Sequence, residues 1–165
     1  MVDSRGTLAQ DGRRAERLEL RVPTTPTQLP AVRAMVADLA MRMDYDLDAV
    51  EDLRLAADEA CATLAVIAAG DSPLTVVFET TRAGLHIEAW VPTADGVDVP
   101  RDGFGWAILA TLVDAVEARR STQADVHGGN GTDAQVCVIV MDKYLPGQRP
   151  NGLGSEAGQS LSVAR

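Results

Sequence analysis

Between Asp48 and Ala69 the residues Val50, Leu53, Ala57, Ala60, Leu64 and Ile67 step by three and four, an apolar stripe that closes up only on an α-helix lying against a larger surface. The Asp48 carboxylate can cap the free backbone donors at its start, and Gly70 can end it. This predicts a helix from about Asp48 to Ala69. The uncharged run Ala60 to Gly70 inside it is far short of the roughly 20 residues a membrane span needs, so the stripe must be met by the rest of the same chain.

The flanking segments supply that surface. Leu18, Leu20 and Val22 alternate with Glu19 and Arg21, the period-2 pattern of a strand with one buried face, and Pro23 and Pro26 stop it. Val32, Met35, Val36, Leu39 and Met43 have helical spacing over Ala31 to Met43, with Pro30 suited to a first turn. Leu74 to Thr80 and Leu85 to Val91 read as strands joined at Ala83-Gly84, with Leu85, Ile87, Ala89 and Val91 sharing one face. After Thr93 to Arg101, Asp102-Gly103-Phe104-Gly105 leads into a helix expected over Trp106 to Ala118, with Ile108, Leu109, Leu112 and Val116 inward. Ser121 to Val126 and Ala134 to Met141 read as a closing hairpin turning at Gly128-Gly129-Asn130-Gly131. The order β-α-α-β-β-α-β-β predicts an α+β sandwich, one mostly antiparallel sheet with helices on one face. No internal repeat is visible.

A chain of 165 residues fits one domain, expected over 16–143. Residues 1–15 lack hydrophobic periodicity and 144–165 are rich in Gly, Ser and Pro, so both ends are expected to be flexible. The start of the chain has no apolar stretch of signal-peptide length, and the reading is cytoplasmic. Fifteen basic against 24 acidic residues leave a net charge of −9, which repels nucleic-acid phosphates and anionic lipid and points to protein partners. Aromatics at 4% argue against stacking platforms for single strands. Cys61 and Cys137 sit in apolar runs, too few for a disulfide framework or a four-ligand zinc site, and read as buried reduced thiols. His86 and His127 show no paired ligands at metal spacing, and the Gly128 run lacks the Gly-Lys-Ser/Thr ending of a P-loop.

Chemistry concentrates at Glu59 and Thr63, one helical turn apart and about 100° from the core stripe, where they can face a cleft. An acid and an oxygen ligand at that spacing can serve phosphoryl transfer, the acid as base and the oxygen helping to hold magnesium. Spacing alone favours the plainer reading of one more charge and one β-branched residue on a solvated face. The acidic run Asp44, Asp46, Asp48, Glu51, Asp52 likewise reads first as a helix start favoured by its dipole, and second as a surface that steers basic partners.

Two stretches together resemble a known family. Leu53-Arg54-Leu55-Ala56-Ala57-Asp58-Glu59-Ala60-Cys61 is similar to the N-box helix of the GHKL (Bergerat-type) ATPase fold in the form found in RsbW-type anti-sigma factors and serine-protein kinases. Asp102-Gly103-Phe104-Gly105-Trp106-Ala107-Ile108-Leu109, followed by Leu112-Val113-Asp114-Ala115-Val116-Glu117, is similar to that family's glycine box, helix and Asp-x-Val-Glu ending. Order and spacing agree from about Glu16 to Asp142, closest to actinobacterial stress-response members. The resemblance implies a two-layer sandwich whose mixed, mostly antiparallel sheet is covered on one face by three helices. It implies a homodimeric anti-sigma factor that sequesters an alternative sigma factor until a STAS-type anti-anti-sigma antagonist competes, and in full-strength members a magnesium-ATP-dependent kinase acting on a serine of that antagonist. By position Glu59 matches the acid of the N-box and general base, Gly103 and Gly105 the glycines near the phosphates of ATP, and Arg33 an arginine contacting sigma factor and antagonist. The chain departs from the pattern at Thr63, where the family has a magnesium-binding asparagine. It departs again at Val91-Pro92-Thr93-Ala94-Asp95, where the family's Asp-x-Gly-x-Gly reads adenine; Asp95-Gly96 is a shifted substitute at best. Magnesium and ATP binding are therefore expected to be weakened or lost, with sequestration surviving. Trp90 and Trp106, flanking the intervening loop, are expected to plug the pocket.

Overall fold

A computed structural model of the chain describes residues 16–149; the expected flexible segment 1–15 and residues 150–165 of the tail lie outside the described residues. The elements are β1 (Arg17–Val22), α1 (Leu29–Arg42), α2 (Leu47–Ile67), β2 (Leu74–Thr80), β3 (Gly84–Pro92), α3 (Phe104–Leu112), β4 (Ala115–Thr122) and β5 (Gln135–Tyr144). The expected order of elements holds. Past residue 143, Tyr144 closes β5, Leu145 packs on the core and Arg149 pairs with Asp114 at 2.6 Å.

Pro30 sits in the first turn of α1, where its missing N–H costs nothing. The cap of α2 is Asp46 rather than Asp48: the Asp46 carboxylate accepts from Ala49 N at 2.8 Å, and Asp48 falls inside the first turn, facing the positive end of the helix dipole. The helix also stops before Gly70. Ala68 turns extended at φ −62°, ψ 142°, because Ala69 N is drawn to the carbonyl of Pro92 at 2.8 Å. The third helix is shorter than its periodicity suggests, ending at Leu112. Val113 is extended, Asp114 N donates to Asp142 O at 2.9 Å, and Ala115 to Thr122 run on as β4, so Val116 is a strand residue. A segment beside an unpaired edge of β5 satisfies more backbone by joining the sheet than by one more helical turn. The closing strands are therefore Ala115–Thr122 and Gln135–Tyr144, and the Gly128 to Gly131 run lies inside a twelve-residue connection, 123–134, instead of forming a tight turn.

The sheet order is β1-β2-β3-β5-β4, and every neighbouring pair is antiparallel. All three helices lie on one face. Leu74, Val76 and Phe78 of β2, Leu85, Ile87, Ala89 and Val91 of β3, and Cys137, Ile139 and Met141 of β5 point there. They meet Val32, Val36 and Leu39 of α1, Leu53, Ala57, Ala60 and Leu64 of α2, and Leu109 of α3. Burying each large aliphatic side chain of this set contributes about 1.5–3 kcal/mol. Tyr45, in the α1–α2 turn, ties helices to sheet: its hydroxyl donates to Lys143 O and accepts from Leu85 N at 3.0 Å. Burial pushes that hydroxyl's pKa up to about 12, so it stays protonated and able to donate.

Candidate functional site

On α2, Asp58 and Glu59 leave the core stripe in neighbouring directions and meet different partners. Asp58 reaches α1, where Arg33 clasps it with both arms of the guanidinium, Nη2 to Oδ2 at 2.6 Å and Nε to Oδ1 at 3.2 Å. Glu59 reaches α3. Its carboxylate lies so close to Gly105 that a Cβ there would stand 2.0 Å from Oε1. Only a glycine lets the two helices approach in this way without displacing the acid. Gly103 is the N-cap of α3 and gives it no side-chain cap, so the first turn of α3 opens toward the acid without a resident capping oxygen.

Among the described residues Glu59 makes no hydrogen bond or ion pair, and neither does the hydroxyl of half-buried Thr63 one turn on. The structure thus brings Gly105 against Glu59, with Gly103 two residues earlier at the N-cap of α3 and Thr63 one turn on from Glu59 in α2. Arg33 stands apart from them, on the α1 side of α2. It is not freely exposed: its side chain is 39% accessible and committed to Asp58.

Arg33 and Asp58 form one wall of a surface groove of about 400 Å³, completed by Glu51, Asp52, Arg54 and Leu55. Glu51 pairs with Arg54 at 2.7 Å. Asp52 holds Lys143 Nζ at 3.1 Å, and the same ammonium donates to Leu112 O at 2.8 Å, closing the C-terminal end of α3. The acidic run is therefore divided among a cap, two ion pairs and exposed positions. Leu55 of the groove is exposed, 51% accessible, as are Leu47 at the start of α2 and Met41 near the end of α1.

The far end of the cleft is built differently. The carbonyl of Pro92 accepts from Ala69 N, and Thr93 N donates to Gln135 O at 3.0 Å, so the backbone at the end of β3 is already engaged. Val99 is buried, Val97 packs on the core, and the Cys137 thiol donates to Val97 O at 3.5 Å. Asp95 is exposed in the turn before them. Both cysteines are buried free thiols, and desolvation pushes Cys61 up to about 12. The two tryptophans do not share a pocket. Trp106 packs against the helix-face core, whereas Trp90 is on the opposite parity of β3 and lies on the other face of the sheet, donating Nε1–H to His127 O at 2.8 Å.

The sequence pattern singles out Glu59 and Gly105 separately, through the family resemblance, and does not announce their contact. The roles of Asp58, Lys143 and Tyr45 were not readable from it, because each depends on a partner far away in the chain and no local spacing announces it.

The sequence profile of the histidine kinase-like ATPase domain matches residues 22–136. The chain is 36% identical over 113 residues to a protein of Mycobacterium tuberculosis (strain H37Rv) named anti-sigma-F factor RsbW, covering 67% of each chain. It is 26% identical over 161 residues to the serine-protein kinase RsbW of Bacillus subtilis (strain 168), covering 82% of this chain and 89% of that protein. The serine-protein kinase RsbW of Bacillus velezensis is 25% identical over 158 residues, covering 80% and 88%. Among the described residues no helix is long and apolar enough to cross a membrane.

Proposed function

We propose that this chain, which belongs to the histidine kinase-like ATPase domain family and is similar to the RsbW anti-sigma factors, holds an alternative sigma factor in an inactive complex that an anti-anti-sigma antagonist dissolves. The observation that carries the binding surface is the Arg33–Asp58 clasp. It pins a guanidinium, half-exposed and pre-ordered, at the lip of a groove that also holds exposed Leu55, the mix of arginine and apolar side chains from which interface hot spots are built. Two-point pairing removes much of the rotamer entropy that Arg33 would otherwise lose on meeting a partner. A homodimer, in a cytoplasmic setting, completes this reading.

Glu59 and Thr63 fit the phosphate end of magnesium-ATP by their chemistry, a carboxylate and a hydroxyl without other partners among the described residues, beside Gly105, whose missing Cβ leaves the room that the Glu59 carboxylate now occupies. When bound there, the nucleotide supplies a transferable phosphoryl group and the metal that neutralises its charge. In this reading Glu59 accepts a proton from an attacking hydroxyl, and the first turn of α3 directs N–H groups toward anionic oxygens. At the base end, the engaged backbone of Pro92 and Thr93 and the absence of the carboxylate expected there leave little to read adenine. Nucleotide affinity is accordingly weak, and sequestration takes precedence over kinase activity. The free Glu59 keeps protein-serine kinase activity as the second reading.

A pull-down from host lysate with and without magnesium-ATP tests the main reading. A sigma factor captured in both conditions supports it, and one captured only with ATP moves the weight to a nucleotide-dependent switch. With the sigma factor in hand, Arg33→Gln and Asp58→Asn separate surface from scaffold. Both break the same ion pair and lower Tm by similar small amounts, but Arg33→Gln loses affinity by roughly tenfold or more, whereas Asp58→Asn, which keeps the guanidinium and gives up only its pre-ordering, loses a several-fold smaller factor. Equal losses in the two variants remove Arg33 from the interface. Phosphate transfer to an antagonist serine at micromolar ATP overturns the weak-nucleotide reading.

A further inference from the structure

The cleft has two ends, and α2 spans them. Glu59 meets Gly105 at one end. Further along, about 12 Å down the axis, Ile67 closes the helix, and Ala69 N reaches the end of β3 by donating to Pro92 O at 2.8 Å. Thr93 follows there. Its N–H pairs with Gln135 O at 3.0 Å, which carries the β3–β5 register one step past the strand and keeps Thr93 on the helix-facing parity of Ile87, Ala89 and Val91. Its side chain is buried in the layer between sheet and helices.

What stands at this end is closed upon itself. The Thr93 side chain hydrogen-bonds the Cys137 thiol, and the thiol donates to Val97 O at 3.5 Å, a relay that runs from the end of β3 through β5 to the loop before α3. Val97 N is taken by Ala94 O at 3.3 Å. Val97 packs on the core and Val99 belongs to it, 3% accessible. The acids of the loop are engaged elsewhere: Asp95 is exposed, and Asp98 accepts from Val99 N at 2.8 Å and stands 3.8 Å from Arg101. The described residues of this end therefore present two valines and satisfied backbone, with no side chain left over to pair with the edge of a base. Reading a base takes buried groups that the wrong base would leave unpaired, and a pocket without them separates ligands of similar shape only weakly.

We propose that the cleft recognises its ligand by the phosphate chain alone, taking the magnesium complex of any nucleoside triphosphate, or of tripolyphosphate with no nucleoside, about equally. The inference rests on the reading of Glu59, Thr63 and the first turn of α3 as the phosphate end, and adds that the opposite end is indifferent to the base. The phosphates are the same in all these ligands, and N–H groups at an uncapped helix start serve anionic oxygens whatever is attached to them. A base adds only what an apolar wall gives to every base. The net charge of −9 works against diffuse attraction of polyanions, so a polyphosphate that binds does so where donors and a metal meet it.

The test follows backbone amide shifts of the isotope-labelled full chain by NMR while ATP, GTP, CTP or tripolyphosphate is added to millimolar concentration with magnesium, each titration referenced to magnesium alone. The expected result is movement of the amides from Gly103 to Ala107 with all of them, dissociation constants agreeing within about threefold, and no movement with adenosine. Thr93→Val, which removes the hydroxyl of the relay and nearly keeps its shape, is expected to leave every constant unchanged. ATP binding about tenfold tighter than GTP or tripolyphosphate, a shift with adenosine, or a loss in Thr93→Val confined to ATP overturns this proposal and leaves the phosphate end standing. No movement at α3 with any of the ligands overturns the proposal together with the reading of the phosphate end beneath it.

Discussion

Adjacent acids on one helix serve opposite ends here. Asp58 is spent on Arg33, whereas Glu59 faces Gly105 with no partner among the described residues. Their difference can be measured by a double-mutant cycle. Glu59→Ala alone changes stability by less than about 0.5 kcal/mol because the carboxylate holds nothing. Gly105→Ala alone costs about 1 kcal/mol, since its methyl must push that carboxylate aside. The double variant recovers the loss and benefits from alanine's helix propensity, and the coupling, read from urea melts, is the energetic trace of the contact. A second residue-scale expectation concerns His86. Its hydrogen bond to Asp142 at 2.7 Å raises its pKa above the usual 6.5, against a smaller opposing effect of burial, with the Asp142, Glu79 and Glu88 charges adding to the rise. A group whose folded pKa is raised stabilises fully below its unfolded pKa and loses that contribution as pH climbs through the folded value. Tm is therefore expected to fall as pH rises from below 6.5 through the raised folded pKa, and Asp142→Asn flattens that portion of the profile.

At the scale of elements the joint between helices and sheet hangs on few groups. Tyr45→Phe removes the hydroxyl from Lys143 O and Leu85 N and leaves a buried N–H unanswered, a loss of about 1–3 kcal/mol by thermal melt with little change in fold. Most of the elements themselves were legible in the sequence. Alternation at Leu18 to Val22 and Leu85 to Val91, and the long stripe of α2, report a local period that burial enforces. Boundaries decided by distant partners were not legible: the end of α2 set by Pro92, the conversion of Ala115 to Ala118 into strand by β5, and the 123–134 connection. In the candidate site, Glu59 and the glycines were readable because a short pattern carries them. The clasp of Arg33 was not, because its partner is on another helix; parity along β3 takes Trp90 off the helix face, but nothing local says what awaits it there.

The whole molecule carries a net charge of −9, spread over a surface whose cations are largely paired. Association with a basic partner is therefore steered, and its on-rate is expected to fall by roughly an order of magnitude as salt rises from low to high ionic strength, with dissociation changing far less, in stopped-flow measurements. The sheet order has a different consequence, in time rather than in space. β1 pairs with β2 along its whole length, yet α1 and α2 are synthesised between them, and the Glu16 carbonyl receives the Thr80 amide only after both helices exist. β2 with β3 and β4 with β5 are near neighbours in the chain, so these hairpins can close early, while joining β1 to β2 must meet the entropy of the largest loop. β1, made before the two helices that separate it from its partner, is thus the last of these strands to find its place, and until it does one edge of the sheet stays open to any other strand that passes.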